Sequence, residues 1–143
     1  MRPEDEISAL VFHLSGQLSV YVGRAVAEFG LTEPQALLIR HLREPLRMGT
    51  VADRLHCDAS NLTGIVDRLE ARGIVERRAV AGDRRAKELV LTEAGRDLQE
   101  RLDETIGVIP GLSDLSPEEQ RVLTRLLGRA LDPLLRSPGE PNE

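Results

Sequence analysis

The chain has 143 residues, enough for one domain with a core, and 41% of them are hydrophobic while only 2% are aromatic. No apolar run approaches the ~20 residues of a membrane span, and the acidic N-terminus does not resemble a signal peptide, so we expect no membrane partner. The single cysteine excludes an internal disulfide and is typical of a reducing cytoplasm, where we expect the protein.

The net charge of −5 argues at first against a nucleic-acid partner, but the charge is unevenly distributed. Residues 40–87 carry eleven Lys or Arg and seven Asp or Glu, a balance of +4, whereas the rest of the chain carries −9. A basic centre between acidic ends is typical of a DNA-binding lobe joined to a part that does not touch DNA. Differences in net charge of this size between parts of a chain also occur by chance in other proteins.

The N-terminal third predicts two helices. Apolar residues recur at helical spacing from Glu4 to Phe29, and Gly30 ends this first helix. Thr32-Glu33-Pro34-Gln35 then has the spacing of a capping box, which predicts a second helix that continues to about Arg43.

Residues 48–91 predict a short helix, a turn, a longer helix and two strands. In the longer helix Asp58 is the expected N-cap and Gly73 the expected C-terminal stop. One face is an apolar stripe formed by Leu62, Ile65, Val66 and Leu69. The opposite face is small and polar, with Thr63 and Arg68 at its sides, and consists of Ser60, Gly64, Asp67 and Ala71.

Gly64 lies in the middle of this helix, where glycine costs about 1 kcal/mol relative to alanine. A helix roughly 10–12 Å wide enters a major groove about 12 Å wide only if its outer face is free of bulk, which would explain the glycine. The alternative is a surface helix with one poor helix former.

The two strands favour the first interpretation. Ile74 to Val80 is rich in β-branched residues, the stretch 81–87 is a charged loop with one glycine, and 88–92 returns as a second strand. Helix, turn, helix and an arginine-bearing hairpin form a winged helix-turn-helix pattern. Hairpin arginines suit a narrow, electronegative minor groove.

The segment resembles the DNA-binding core of the MarR family of bacterial transcription regulators. Two runs carry the resemblance: Asp67-x-Leu69-Glu70-x-x-Gly73-Ile74-Val75-x-Arg77, and Asp83-x-Arg85-x-x-x-Leu89-x-Leu91-Thr92-x-x-Gly95. The resemblance implies that Asp83 orders the wing and that Arg85 is presented to DNA.

Two further helices follow the wing. Thr92 opens the first, and Ser116-Pro117-Glu118-Glu119 is a clear start for the second. Because the first, fifth and sixth helices carry long apolar stripes outside the winged unit, we expect them to form a two-fold dimer, as the resemblance also implies. The expected fold is mainly α with a small β-wing: a single MarR-type domain over 1–143, with a DNA-binding lobe at about 32–91 and dimerisation helices at about 4–29 and 93–136.

We expect a transcription regulator that binds a pseudo-palindromic operator in double-stranded DNA as a homodimer. The resemblance to the family implies that it is a ligand-responsive repressor. The expected DNA contacts are Ser60, Asn61, Thr63, Gly64, Asp67, Arg68, Arg72, Arg77, Arg84, Arg85 and Lys87. Alternatives remain for several of them. Ser60 and Asn61 could serve in helix capping, and Arg68 and Arg72 could be solvated. One of Arg77 and Arg78 could be a structural ion-pair partner while the other contacts phosphate.

We find no constellation for catalysis, because the three histidines fall on different helices and no metal-ligand spacing or phosphate loop is present. We therefore expect no enzymatic activity, no metal and no cofactor. The resemblance implies a small aromatic or phenolic effector, for which His13, Gln17 and His41 are candidate ligands. Two alternatives stay open: a winged-helix protein-interaction module without DNA binding, and a redox-responsive regulator that uses Cys57.

Overall fold

The computed structural model describes residues 2–136. Within them the helices and strands follow one another as α1 (Pro3–Ala27), α2 (Glu33–His41), β1 (Leu46–Arg47), α3 (Met48–Leu55), α4 (Ala59–Ala71), β2 (Val75–Val80), β3 (Asp83–Leu91), α5 (Glu93–Ile106) and α6 (Pro117–Leu135). The predicted fold class, mainly α with a small β-wing, is confirmed. The chain divides into two compact units, Met1–Gly107 and Val108–Glu143, so that α5 belongs to the first unit and α6 to the second.

Local capping signals place the helix starts where the sequence predicts them. The Thr32 hydroxyl accepts a hydrogen bond from the Gln35 backbone N–H at 3.5 Å, and Gln35 Oε1 accepts one from the Thr32 N–H at 3.0 Å. Ser116 and Glu119 form the same reciprocal pair at the start of α6. The first helix ends at Ala27 rather than at Phe29.

The sheet has the order β1-β3-β2, with all neighbours antiparallel. The predicted loop 81–87 is wrong in length, because β3 already begins at Asp83 and only Ala81 and Gly82 form the turn. Gly82 has a φ of 81°, a left-handed conformation that glycine adopts without strain. The pairing shifts between Ala79↔Lys87 and Val80↔Asp83, so residues 84–86 form an irregular stretch on β3.

The core lies between the C-terminal half of α1, the helices α2 to α4, the sheet and α5. Leu62, Val66 and Leu69 of the predicted stripe on α4 are fully buried, and Ile65 is partly buried against them. The start of α5 packs closely on Ile74, the residue before β2: a Cβ added to Gly95 would lie 2.1 Å from the Ile74 carbonyl oxygen. Burial of α5 against the winged part therefore requires glycine at this position.

Two helices expose large apolar side chains. On the N-terminal half of α1 these are Ile7, Leu10, Val11, Phe12 and Leu14. On α6 they are Leu126, Leu127, Leu131, Leu134 and Leu135. No helix within residues 2–136 is both long and apolar enough to cross a membrane.

Candidate nucleic-acid interface

The face of α4 that points away from the core is small and accessible. Its positions are exposed or half-exposed: Ser60, Thr63, Gly64, Asp67, Arg68 and Ala71. A Cβ placed on Gly64 would meet no heavy atom within 4 Å, so packing within the described chain does not require glycine there. Because a helix is roughly 10–12 Å across and a major groove about 12 Å wide, this face allows the backbone to approach base edges.

The start of α4 is held by Asp58. Its Oδ1 accepts hydrogen bonds from the Asn61 backbone N–H and from the Ser60 hydroxyl, each at 2.8 Å. The bond from the Asn61 N–H, followed by that from Ser60, lowers the pKa of the Asp58 carboxyl. Ser60 therefore takes part in the cap through its side chain, whereas Asn61 takes part through its backbone and keeps its carboxamide for another partner.

A salt bridge fixes α4 to the wing. Arg77, on β2, donates from Nη2 to Asp67 Oδ1 and from Nη1 to Glu70 Oε1, each at 2.6 Å. The hydrogen bond to Asp67 is the main cause that raises the pKa of Arg77. Asp67 and Arg77, both expected DNA contacts, are therefore engaged with each other within the chain. The structural ion-pair role that the sequence left open between Arg77 and Arg78 falls to Arg77, while the exposed Arg78 pairs with Glu76 on its own strand.

Arg72 is also engaged within the chain. It follows α4, and its Nη1 and Nη2 donate to the carbonyl oxygens of Gly30 and Phe29 at 2.8 and 3.0 Å. These bonds tie the end of α4 to the turn after α1, so the guanidinium of Arg72, an expected DNA contact, is engaged within the chain. Arg68 is exposed and forms no ion pair within residues 2–136.

The wing strand β3 carries three exposed cations, Arg84, Arg85 and Lys87. Asp83 Oδ1 accepts a hydrogen bond from the Arg85 backbone N–H at 3.0 Å, just after the turn at Gly82. This bond supports the wing-ordering role expected for Asp83, because it fixes the backbone from which the Arg85 side chain projects.

A cavity of about 510 Å³ lies beside the α4 face. It is bordered by the start of α2, the end of α3 and α4, and its lining includes Cys57, Asn61 and Arg68. The candidate effector residues lie elsewhere: His13 and Gln17 are exposed on α1, and His41 is half-buried on α2 with Nδ1 2.7 Å from the Leu37 carbonyl oxygen. Residues 2–136 contain no group of three or more His, Cys, Asp or Glu side chains that could hold a metal ion.

The stretch that builds this surface also matches known proteins. Residues 29–86 match the model of the MarR family. The organic hydroperoxide resistance transcriptional regulator of Bacillus subtilis (strain 168) is 29% identical over 136 residues, which are 94% of this chain and 92% of that protein. The chain is similar to the MarR family over its winged helix-turn-helix stretch, and to this regulator along almost its whole length. The resemblance to the MarR family that the two sequence runs predicted is thereby confirmed, and the protein is a winged helix-turn-helix transcriptional regulator.

Solved structures of similar proteins share the fold of this chain. The structure of transcriptional regulator PA3341 has a TM-score of 0.78 and 27% identity, and the match covers 90% of this chain and 97% of that one. Overoxidized AbfR bound to DNA has a TM-score of 0.72 and 25% identity, and the match covers 92% of this chain and 93% of that one. AbfR comes from Staphylococcus epidermidis.

Proposed function

We propose that this protein is a member of the MarR family that binds a pseudo-palindromic operator in double-stranded DNA as a homodimer and represses transcription until an effector releases it. The observation that carries the proposal is the joint exposure of the narrow α4 face and of the cationic wing on one compact unit. The +4 balance of residues 40–87 supports it, because phosphate contacts supply most of the affinity of such proteins for DNA.

The proposed contacts divide into two groups. On α4, Asn61, Thr63 and Arg68 would meet base edges or phosphates in a major groove, while Ser60 and Gly64 permit the close approach. On the wing, Arg84, Arg85 and Lys87 would lie along the adjacent minor groove and backbone, where the potential is most negative.

The exposed apolar faces support the homodimer. Leu10 on α1 is 63% exposed and Leu134 on α6 is 81% exposed, and each lies among other exposed apolar side chains of its own helix. Contiguous apolar surface of this kind is rarely left in water, and two-fold symmetry is the commonest way to cover it. A dimer would place two α4 helices about one DNA turn apart, 34–36 Å, which calls for an inverted repeat.

The experiment that tests the proposal is selection of bound duplexes from a random DNA pool by the purified full chain. We expect an enriched inverted repeat whose half-site centres are about one turn apart. Enrichment of no common sequence, with the protein folded, would contradict sequence-specific binding and favour a protein-interaction module.

The release step would use a small aromatic or phenolic effector bound by residues that include His13, Gln17 and His41.

A second candidate for the release step, favoured by the position of Cys57, is oxidation of its thiol. Cys57 is half-buried in the cavity that Asn61 and Arg68 also line, so a larger oxidised group there would press on the α4 face. Loss of operator binding after peroxide treatment, abolished by Cys57→Ser, would support the second candidate; loss of binding on adding hydroxybenzoates to untreated protein would support the first.

A further inference from the structure

Two side chains of α5 hold the end of α2. Gln99 Nε2 donates to the carbonyl oxygens of Ile39 and Leu42 at 2.6 and 3.2 Å. One turn further along α5, Asp103 accepts from Arg40 Nε at 3.0 Å and pairs with Arg43 Nη2 at 2.6 Å. We call Gln99 and Asp103 the α5 clasp.

The clasp meets a need that α2 cannot meet itself. The last four carbonyl groups of a helix have no partner within the helix, and an unpaired carbonyl in a buried place is costly. Gln99 is only 8% exposed, so its amide serves as an internal cap at this end of α2. Burial would raise the pKa of Asp103, but the hydrogen bonds from Arg40 and Arg43 outweigh it and lower the pKa, so the carboxylate is charged at neutral pH.

The end of α2 leads directly into the proposed DNA-binding elements. Leu42 is the C-cap residue of α2, and β1 begins four residues later at Leu46. Leu46 pairs with Leu89 of the wing strand β3, and α3 begins at Met48 immediately after β1. A shift of the α2 end relative to α5 would therefore be passed to both the wing and α3, and through α3 to α4.

We propose that Gln99 and Asp103 are positioning residues that set the angle of the α4 and wing surface relative to α5, and thereby the half-site spacing that a dimer accepts. The inference rests on the proposed function and deepens it. Neither side chain contacts DNA in this account. Because the clasp contributes two separate kinds of contact, a neutral cap and a charged pair, each can be removed independently of the other.

The test uses the full chain and a set of duplexes that carry two copies of the selected half-site with the spacing varied one base pair at a time. The variants are Gln99→Met and Asp103→Asn, and the matched control is Asp97→Asn, which makes the same chemical change at an exposed position of α5. Circular dichroism and sedimentation confirm the fold and the oligomeric state of each variant before binding is compared.

We expect wild type and Asp97→Asn to prefer one spacing sharply. Each clasp variant should lose about three- to tenfold of the discrimination between that spacing and its neighbours, while its affinity for a single half-site is unchanged. Spacing profiles like that of wild type in both clasp variants, with only thermal stability reduced, would overturn the inference and leave the clasp a structural feature. If the wild-type protein binds no duplex at all, the proposed function itself is overturned. This result differs from equal spacing profiles, which overturn only the role of the clasp.

Discussion

Arg77 on the first wing strand and Asp67 on α4 form a hydrogen-bonded ion pair with Nη2 and Oδ1 2.6 Å apart. Glu70, one turn along α4, binds the other Nη of the same guanidinium. The two proposed DNA-contacting elements are thus joined through Arg77, whose side chain is only 24% exposed. The ion pair therefore fixes the position of the wing strand β2 relative to α4.

Arg77→Met should separate the wing from α4. We expect the free energy of unfolding to fall by about 1–2 kcal/mol, less than a fully buried charged pair would lose, because Asp67 is itself 61% exposed and screened by water. Urea denaturation measures the loss. Arg78→Met is the matched control, since its pair with Glu76 is exposed on both sides and should contribute less than about 0.5 kcal/mol. Equal losses for the two variants would contradict the role given to Arg77.

Gly64 allows stability and DNA binding to be separated. Gly64→Leu should fold normally and raise the free energy of unfolding by up to about 1 kcal/mol, because a better helix former enters a position with open space around it. The same variant should weaken operator binding at least about tenfold, since the added side chain holds α4 away from the base edges. Gly128→Leu, at an open mid-helix position of α6, is the control for the helix effect. Undiminished binding by Gly64→Leu would show that this face does not enter a groove.

Leu10→Glu tests the dimer. Leu10 is 63% exposed on α1, and a charge there would be buried without a partner if two copies meet through this face. We expect the variant to sediment as a monomer and to lose operator binding. Ala9→Glu adds the same charge one residue away, on the other side of the helix, and should leave the dimer intact. A Leu10→Glu protein that still sediments as a dimer would remove α1 from the proposed interface.

The lowered pKa of Asp103 predicts how its contribution to the free energy of unfolding depends on pH. Its folded-state pKa is lowered, so its contribution to stability is present above the unfolded pKa of about 3.9 and is lost as the pH falls through the folded value. The difference in free energy of unfolding between wild type and Asp103→Asn should therefore be constant from about pH 8 to pH 5 and shrink only below about pH 4. A difference that changes near pH 6 to 7 would point to another titrating group.

The sequence predicted the features that depend on neighbours close in the chain. Asp58 and Thr92 cap their helices through residues three positions on, and Gly73 adopts a positive φ at the end of α4, as their local patterns indicate. The hydrogen bond from the Arg85 backbone N–H to Asp83 likewise joins residues only two positions apart.

What the sequence could not provide depends on partners far along the chain. Arg72 reaches carbonyl groups more than forty residues away, and Asp103 meets arginines about sixty residues away. Nothing in the local pattern separates these side chains from solvated ones, so the sequence leaves Arg72 between DNA contact and solvent and does not single out Asp103. The sequence predicts too long a turn in the wing, because residues 84–87 are mostly charged and lack the alternation of a regular strand. In the structure they belong to β3, where the pairing register is irregular.

The most direct test of the account is the salt dependence of binding to the selected duplex, measured by fluorescence anisotropy. Wild type should lose affinity steeply between ~50 and ~200 mM salt, because binding releases counterions from the phosphates. Arg85→Ala should bind about 1–3 kcal/mol more weakly than wild type, whereas Arg125→Ala, which removes an exposed charge of α6, should not. Affinity that does not change with salt, and is equal in all three proteins, would contradict a DNA-binding surface built from α4 and the wing.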